Sequence, residues 1–187
     1  MKELYEEILQ NVRTGDQLSA VFPSALIFAK KVSNVQLENW ILLETNGYYN
    51  SNSAMEEGTV VPEYRSVPGR WHDIHGRPFI LNDPDLQFIN EYRLRNPVFD
   101  IEELSRNTSH IDLPDAKFTS KIKERFNVDV YAFRFSPKSL AGVLSSIRSH
   151  LITSLMSLGH EESIQKQESS ATDLSLLHPT VKSVSGD

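Results

Sequence analysis

Two histidines flanked by two arginines form the most chemically suggestive cluster in the sequence. His72 and His75 lie three positions apart, with Arg70 before them and Arg77 after them. Imidazoles can act as general bases or metal ligands, and arginines can hold phosphates, so the set suggests a nuclease. Residues three apart on an extended strand point to opposite faces, although a turn at His75 would bring the rings together. Because no third ligand is evident, we predict a hairpin with exposed histidines, keep the four residues as the candidate binding set, and predict no metal site.

The sequence lacks the other common patterns of catalytic groups. It contains no cysteine, which excludes a thiol nucleophile, a disulfide and an iron–sulfur cluster. No serine lies in a Gly-x-Ser-x-Gly turn, and neither common glycine-rich phosphate loop is present. Adjacent acidic residues such as Glu102 and Glu103 do not face each other on a helix, so we predict that they are solvated. We therefore predict no catalytic residue and no cofactor, and we favour a protein that is not an enzyme while leaving the question open.

The densest basic cluster lies further along the chain. Lys117, Lys121 and Arg125 follow one another at four-residue spacing, with Phe118 and Lys123 between them. A basic stripe on one helix face is one way of binding a nucleic-acid backbone. The chain has 19 basic and 25 acidic side chains, however, and its net charge of −6 disfavours a protein whose main task is to bind phosphates. We favour a solvated helix face and leave nucleic acid open as a partner.

Helical periodicity accounts for most of the chain, since apolar residues recur at three- and four-residue spacing in seven places. The predicted helices span roughly residues 4–12, 18–32, 35–46, 84–93, 101–104, 114–126 and 137–158. Pro23 predicts either a kink or a new helix start near Phe22. Asn34 predicts a helix cap, and Gly47 and Gly159 predict helix ends.

Alternating apolar and polar residues predict the strands, two or three between residues 64 and 81 and one at 128–135. The fold class is therefore α+β and mostly helical, with helices packed on a small antiparallel sheet of two to four short strands. The domain should occupy residues 1–162, followed by a flexible serine-rich tail or linker at 163–187. An acidic N-terminus and the lack of a long apolar run predict a cytoplasmic protein that does not associate with membranes.

A further set of residues is distinctive for its order along the chain. Trp40 is followed by Glu44, by Asn46-Gly47-Tyr48 and, after a polar loop, by Pro62-x-Tyr64-Arg65. This succession resembles the AbiTii domain of abortive-infection proteins. Thr45 replaces the usual Leu, and Ser149 replaces the usual Asn in a second motif near the C-terminus. The resemblance covers roughly residues 1–160, is strongest over 26–65, and implies a bacterial antiviral defence protein that acts with a partner; it supplies no catalytic residue.

The same residues also have a structural interpretation. Trp40 should anchor the core, and Gly47 should end the helix directly after Asn46. Tyr48 and Tyr64 should pack the helix end against the first strand. The motif also contains two side chains of opposite charge, Glu44 and Arg65.

Glu44 and Arg65 should form an ion pair at that junction and fix the geometry of the loop. We favour architecture over a binding site for the whole motif, because its members do not form a set of acid, base and nucleophile.

Three functions remain. We favour an accessory or interaction domain of an anti-phage abortive-infection system that acts with a protein partner of its defence operon and is not an enzyme in isolation. The second is a nuclease-like or other toxin acting on nucleic acid through the arginine and histidine set. The third is a small-ligand sensor domain. A homo-oligomer is left open.

Overall fold

The computed structural model describes residues 2–80 and 89–175, with side chains described as far as residue 159. Helices dominate these ranges, and a 3₁₀ turn, Glu63–Arg65, leads into the first strand. The helices are α1 (Lys2–Thr14), α2 (Leu18–Lys31), α3 (Val35–Asn46), α4 (Val98–Ser105), α5 (Ala116–Phe126) and α6 (Lys138–Ser175). The strands are β1 (Ser66–His72), β2 (Glu91–Arg93), β3 (Ile111–Leu113) and β4 (Ala132–Phe135). This is the mostly helical α+β architecture that the sequence predicts.

The strands form one antiparallel sheet in the order β2–β1–β4–β3. Arg70 of β1 lies opposite Arg134 of β4, and Asp112 of β3 lies opposite the same Arg134. Their neighbours Trp71 and Phe133 also pair and are fully buried. Because successive side chains on a strand alternate between faces, the sheet has an apolar covered face and a charged open face.

Helices cover the apolar face of the sheet. The Trp71 indole stacks on the Phe118 ring of α5, with the ring centroids 4.7 Å apart and the planes inclined by 2°. Helix α6 contacts β1, α1 and α4, and α2 contacts both α1 and α3. The buried stripe of α6 has the helical spacing that the sequence predicts. It consists of Leu140, Val143, Ile147, Leu151 and Leu155.

A carboxylate from a distant part of the chain stabilises the start of α2. Glu102, on α4, accepts hydrogen bonds from the Leu18 amide at 2.6 Å and the Ser19 hydroxyl at 2.5 Å. A negative charge at this place satisfies free N–H groups of the first turn and interacts favourably with the helix dipole. Glu102 is buried, so the prediction that it is solvated is wrong. Because α2 begins at Leu18, Pro23 lies inside one helix, and the predicted alternative of a new start near Phe22 is also wrong.

Side-chain caps define two other helices, and the sequence predicts the first of them, at Asn34. The Asn34 side chain accepts from the Leu37 amide at 2.8 Å at the start of α3. Asp115 accepts from the Phe118 amide at 2.9 Å at the start of α5. Helix α5 ends before Asn127, whose left-handed conformation (φ 53°) stops the helical hydrogen-bond pattern.

The strands differ from the prediction in number and partners. Residues 64–80 contain one strand, β1, with an isolated bridge between His72 and Pro78 in place of a second strand. Residues 91–93 form β2 and not the end of a helix, because they pair with β1; residues 84–88 of that predicted helix lie outside the described ranges. The prediction did not include β3, which is three residues long and paired only through β4.

Helix α6 continues past Gly159 to Ser175, so the predicted helix end at Gly159 is wrong. A Cβ atom at position 159 would lie 2.8 Å from the Tyr5 hydroxyl, so the glycine allows α1 to approach α6 closely. The domain boundary at residue 162 and the flexible tail stay predictions, and residues 176–187 lie outside the described ranges. In the part of the chain that the structure describes, no helix is both long and apolar enough to cross a bilayer.

Candidate functional site

The turn that follows α3 brings three parts of the chain together. Gly47 ends the helix as predicted, with φ 80°, and a Cβ atom there would lie only 2.6 Å from the Arg95 carbonyl oxygen. The Tyr48 amide donates to that same oxygen at 2.8 Å. Asn46 is exposed at the end of α3. Glycine is therefore required for both conformation and space, and the turn places Tyr48 against the residues that follow β2.

Arg65 and Glu44 form the ion pair that the sequence predicts. Arg65 Nη2 lies 2.9 Å from Glu44 Oε2, and both side chains are completely buried. Arg65 Nη1 also donates to the carbonyl oxygens of Leu94 and Asn96, at 2.9 and 2.8 Å. The guanidinium lies 4.8 Å from the centre of the Tyr48 ring. One buried cation therefore links α3, the turn before β1 and the segment that follows β2.

The second oxygen of the carboxylate is also fully used. Glu44 Oε1 accepts from the Tyr48 hydroxyl at 2.8 Å and from the Tyr64 hydroxyl at 2.7 Å. The Trp40 indole donates to the Tyr64 oxygen at 2.9 Å. Burial and, second to it, the Glu44 charge raise the pKa of both tyrosines, which stay protonated donors. Both oxygens of the carboxylate are therefore bonded within the chain, and the side chain has no exposed surface.

Trp40, which the sequence predicts to be a core anchor, and Trp71, for which no role is predicted, differ in burial. Trp40 lies partly buried at the edge of the core, where its ring contacts Phe22 edge-on and His150 at 4.5 Å between centroids. The fully buried tryptophan is Trp71. Trp40 is therefore a link between α3 and α6 through its contact with His150, while Trp71 is the core anchor.

The predicted arginine and histidine set is divided between two grooves. Arg70 and His72 lie on the open face of β1 and line a groove of about 570 Å³. His75 and Arg77 lie in the turn after β1 and line a separate groove of about 740 Å³. The Arg77 side chain forms an ion pair with Asp73 at 2.7 Å. The hydrogen bond from the backbone amide of Arg77 is the main reason why the pKa of the Asp73 carboxyl is lowered. The four residues therefore do not form one site.

The groove on the open sheet face contains residues that sequence reasoning missed. His110 and Arg134 line it with Arg70 and His72. Arg134 binds Asp112 through two hydrogen bonds of 2.6 Å each, and this contact lowers the pKa of Asp112. The imidazoles of His72 and His110 and the guanidinium groups of Arg70 and Arg134 could together hold a phosphate in this groove. Among the described residues, no group of three histidine or acidic side chains is placed to hold a metal ion.

Two further grooves adjoin each other beside α5. One, of about 430 Å³, is lined by Arg95, Lys117 and Lys121 together with polar and aromatic side chains. The other, of about 440 Å³, shares Arg95 and Phe118 with the first. Lys117 and Lys121 belong to the basic stripe that the sequence analysis assigned to a solvated face, and both are exposed.

Comparison with protein families agrees with the motif around the Glu44–Arg65 pair. The AbiTii family model matches residues 3–175. The chain belongs to the AbiTii family. Neither the curated proteins nor the solved structures include a significant match. Membership of the AbiTii family suggests a role in abortive infection against phage, as the sequence resemblance implies.

In this AbiTii protein the missed residues share one property, which is that their neighbours in space are distant in sequence. Arg95 follows β2, whereas Lys117 and Lys121 lie on α5. His110 lies just before β3, whereas His72 ends β1. The alternation of His110 with Asp112 is a weak strand signal that could have indicated a second histidine on the sheet face.

Proposed function

We propose that this AbiTii protein is an interaction component of an abortive-infection system, that it acts with a protein partner against phage, and that it has no catalytic activity of its own. The observation that carries this proposal is the burial of the family motif. Glu44 and Arg65 have no exposed surface; both carboxylate oxygens of Glu44 and both terminal nitrogens of Arg65 bind other parts of the same chain. This burial supports a structural role for the charged pair at the centre of the motif, as opposed to contact with a substrate.

A surface suited to a protein partner lies at the turn after β1. The groove of about 740 Å³ has apolar walls formed in part by Ile74 and Ile80, which are 77% and 61% exposed. Exposed aliphatic side chains that line one groove favour contact with another protein, because burial removes apolar surface from water.

A protection assay with matched surface variants tests the proposal. Cells that carry this chain and the proteins encoded beside it should form fewer plaques when challenged with phage, and either component alone should not protect. Ile74→Arg should abolish protection and copurification of the neighbouring protein, since it places a charge in the apolar groove. Val35→Arg is the matched control, because Val35 is also an exposed aliphatic residue (63%) but lies on α3 outside the groove.

Both variants should unfold at the same temperature as the unaltered chain, because both side chains are exposed. Full protection by the Ile74→Arg variant, with the partner still bound, would exclude the groove as the partner surface. Protection by this chain without any partner would contradict the proposal itself.

Nucleic-acid cleavage is the second candidate function, and one observation favours it. His72 and His110 line the same groove with Arg70 and Arg134, so two imidazoles and two cations surround one space. If this function is correct, the purified chain should cleave RNA or DNA, and His72→Gln with His110→Gln should abolish cleavage and protection. His75→Gln, in the other groove, is the control. We expect no cleavage by the purified chain.

Location and assembly stay proposals. We infer that the protein acts in the cytoplasm, where its partner and the phage genome would be present together. A homo-oligomer remains the alternative assembly, and light scattering of the purified chain would distinguish it from a monomer.

A further inference from the structure

The basic residues beside α5 are arranged in a way that the fold itself does not require. Lys117 lies in the first turn of α5, where the helix dipole disfavours a positive charge. Lys121 follows it at four-residue spacing, so the two like charges repel each other on one helix face. Within the described ranges, Lys117, Lys121 and Arg95 have no ion-pair partner. Three cations without an ion-pair partner among the described residues therefore line one groove.

The negative charges that face this groove are few. Asp115 lines it, but its carboxylate already accepts hydrogen bonds from the Phe118 amide and the Tyr92 hydroxyl. The three cations and this one carboxylate leave a net charge of about +2 in a chain whose total charge is −6. A bound anion would relieve both the repulsion between the lysines and the conflict with the helix dipole.

The adjoining groove has a different chemical character. It shares Tyr92, Arg95, Asp115 and Phe118 with the cationic groove, so the two form one continuous depression. Its lining includes the apolar residues Met55, Val60 and Val61 beside polar and charged ones such as Glu91 and Arg93, and Val60 is 71% exposed. The two volumes, about 430 and 440 Å³, lie in the range of pockets for small organic ligands. A ligand that fills both would have a phosphate at one end and an apolar, planar or aliphatic part at the other.

We propose that this double groove binds a nucleotide, with the phosphate held by Arg95, Lys117 and Lys121 and the base placed against Val60. The phosphate geometry suits a guanidinium with two ammonium groups, which together can contact several phosphate oxygens. The nucleotide is either free in solution or part of an RNA strand, since both offer the same phosphate and base. This site is separate from the partner surface at Ile74.

Calorimetric titration of the full chain tests the site with three probes: inorganic phosphate, the four common ribonucleoside monophosphates and a short single-stranded RNA. At least one monophosphate should bind about tenfold more tightly than inorganic phosphate, because the base adds contacts in the second groove. Affinity should fall as salt rises, since the contacts to phosphate are ionic. A monophosphate that displaces the RNA would show that both occupy this groove.

Three variants assign the contacts. Lys117→Ala combined with Lys121→Ala should weaken binding of phosphate and nucleotide by about tenfold or more, since both contacts are ionic. Val60→Ser should weaken nucleotide binding and leave phosphate binding unchanged. Lys123→Ala is the matched control, because Lys123 lies on the same helix but is paired with Asp129 outside the groove. Ile74→Arg should bind nucleotide normally, which separates this proposal from the proposed partner surface.

The lysine variants should not lose stability, because removal of two like charges on an exposed helix face relieves repulsion. Equal affinity for inorganic phosphate and every monophosphate would overturn the nucleotide assignment. So would RNA binding that the double lysine variant retains in full, or the failure of all three probes to bind the unaltered chain.

Discussion

Breaking the buried Glu44–Arg65 pair should cost the protein far more stability than breaking an exposed pair on its surface. Arg65→Ala removes the hydrogen bonds of the guanidinium to Glu44, Leu94 and Asn96. It also leaves the carboxylate buried with no counter-charge. Removing one partner of a buried pair costs about 3–5 kcal/mol. For a chain of this length each kcal/mol lowers the melting temperature by about 2–4 °C, so the expected fall is roughly 6–20 °C.

The exposed pair between Arg77 and Asp73 is the matched control. Its arginine side chain is 76% exposed, so Arg77→Ala should cost only about 0–1 kcal/mol. A double variant, Glu44→Leu with Arg65→Met, should lose less stability than the sum of the losses from Glu44→Leu alone and Arg65→Met alone. The reason is that neither charge is then left buried without its partner. The difference should be about 0.5–3 kcal/mol, which is the usual range for residues in contact.

Urea denaturation followed by tryptophan fluorescence measures these free energies of unfolding. The m value, which is the slope of the free energy of unfolding against urea concentration, should not change, since the variants alter stability and not the surface exposed on unfolding. Strictly additive losses in the double variant would refute the coupling of Glu44 with Arg65. A loss for Arg65→Ala no larger than that for Arg77→Ala would refute the importance of burial.

Gly47→Ala should destabilise the fold more than Gly15→Ala, as measured by urea denaturation. Both glycines have a positive φ, but only at position 47 would the new Cβ meet the backbone, at 2.6 Å from a carbonyl oxygen. The Asp112→Asn variant should lose less stability than the unaltered chain when the pH is lowered into the acid range. The Arg134 contact lowers the pKa of Asp112, so this carboxylate stabilises the fold above about pH 4 and its contribution is lost as the pH falls through the folded value, which thermal melts at stepped pH would show. Tyr64→Phe should leave the alkaline ultraviolet titration of the native chain unchanged. Burial raises the pKa of the Tyr64 phenol above its ordinary value. The contribution of the protonated phenol to stability is therefore present below about pH 10 and is lost as the pH rises further. In the native chain the phenol ionises only when the fold opens.

The features that the sequence predicts correctly depend on neighbours along the chain. The cap at Asn34 and the end of α3 at Gly47 need only the few residues around them. The buried stripe of α6 follows from helical spacing alone. The Glu44–Arg65 contact was predictable because both charges belong to one motif and flank a single loop.

The features that the sequence does not predict depend on partners far along the chain. Strands β2 and β3 have three residues each, which is too short for alternation to be visible, and their pairing defines them. Trp71 is the core anchor because α5 supplies Phe118 as a stacking partner, and nothing near Trp71 in sequence indicates this. Glu102 is buried because the start of α2, 84 residues away, needs its carboxylate.

The same distinction explains why the family is easier to recognise than the binding surfaces. The motif from Trp40 to Arg65 occupies one stretch of sequence, and its side chains form a buried network that supports the fold. The grooves instead combine residues such as Arg95 and Lys121, which come together only after β2 and α5 are placed. Like charges at four-residue spacing on a helix, such as Lys117 and Lys121, destabilise it by about 0.2–0.5 kcal/mol, and packing does not explain them. Experiments on function should therefore begin with the grooves, and experiments on stability with the motif.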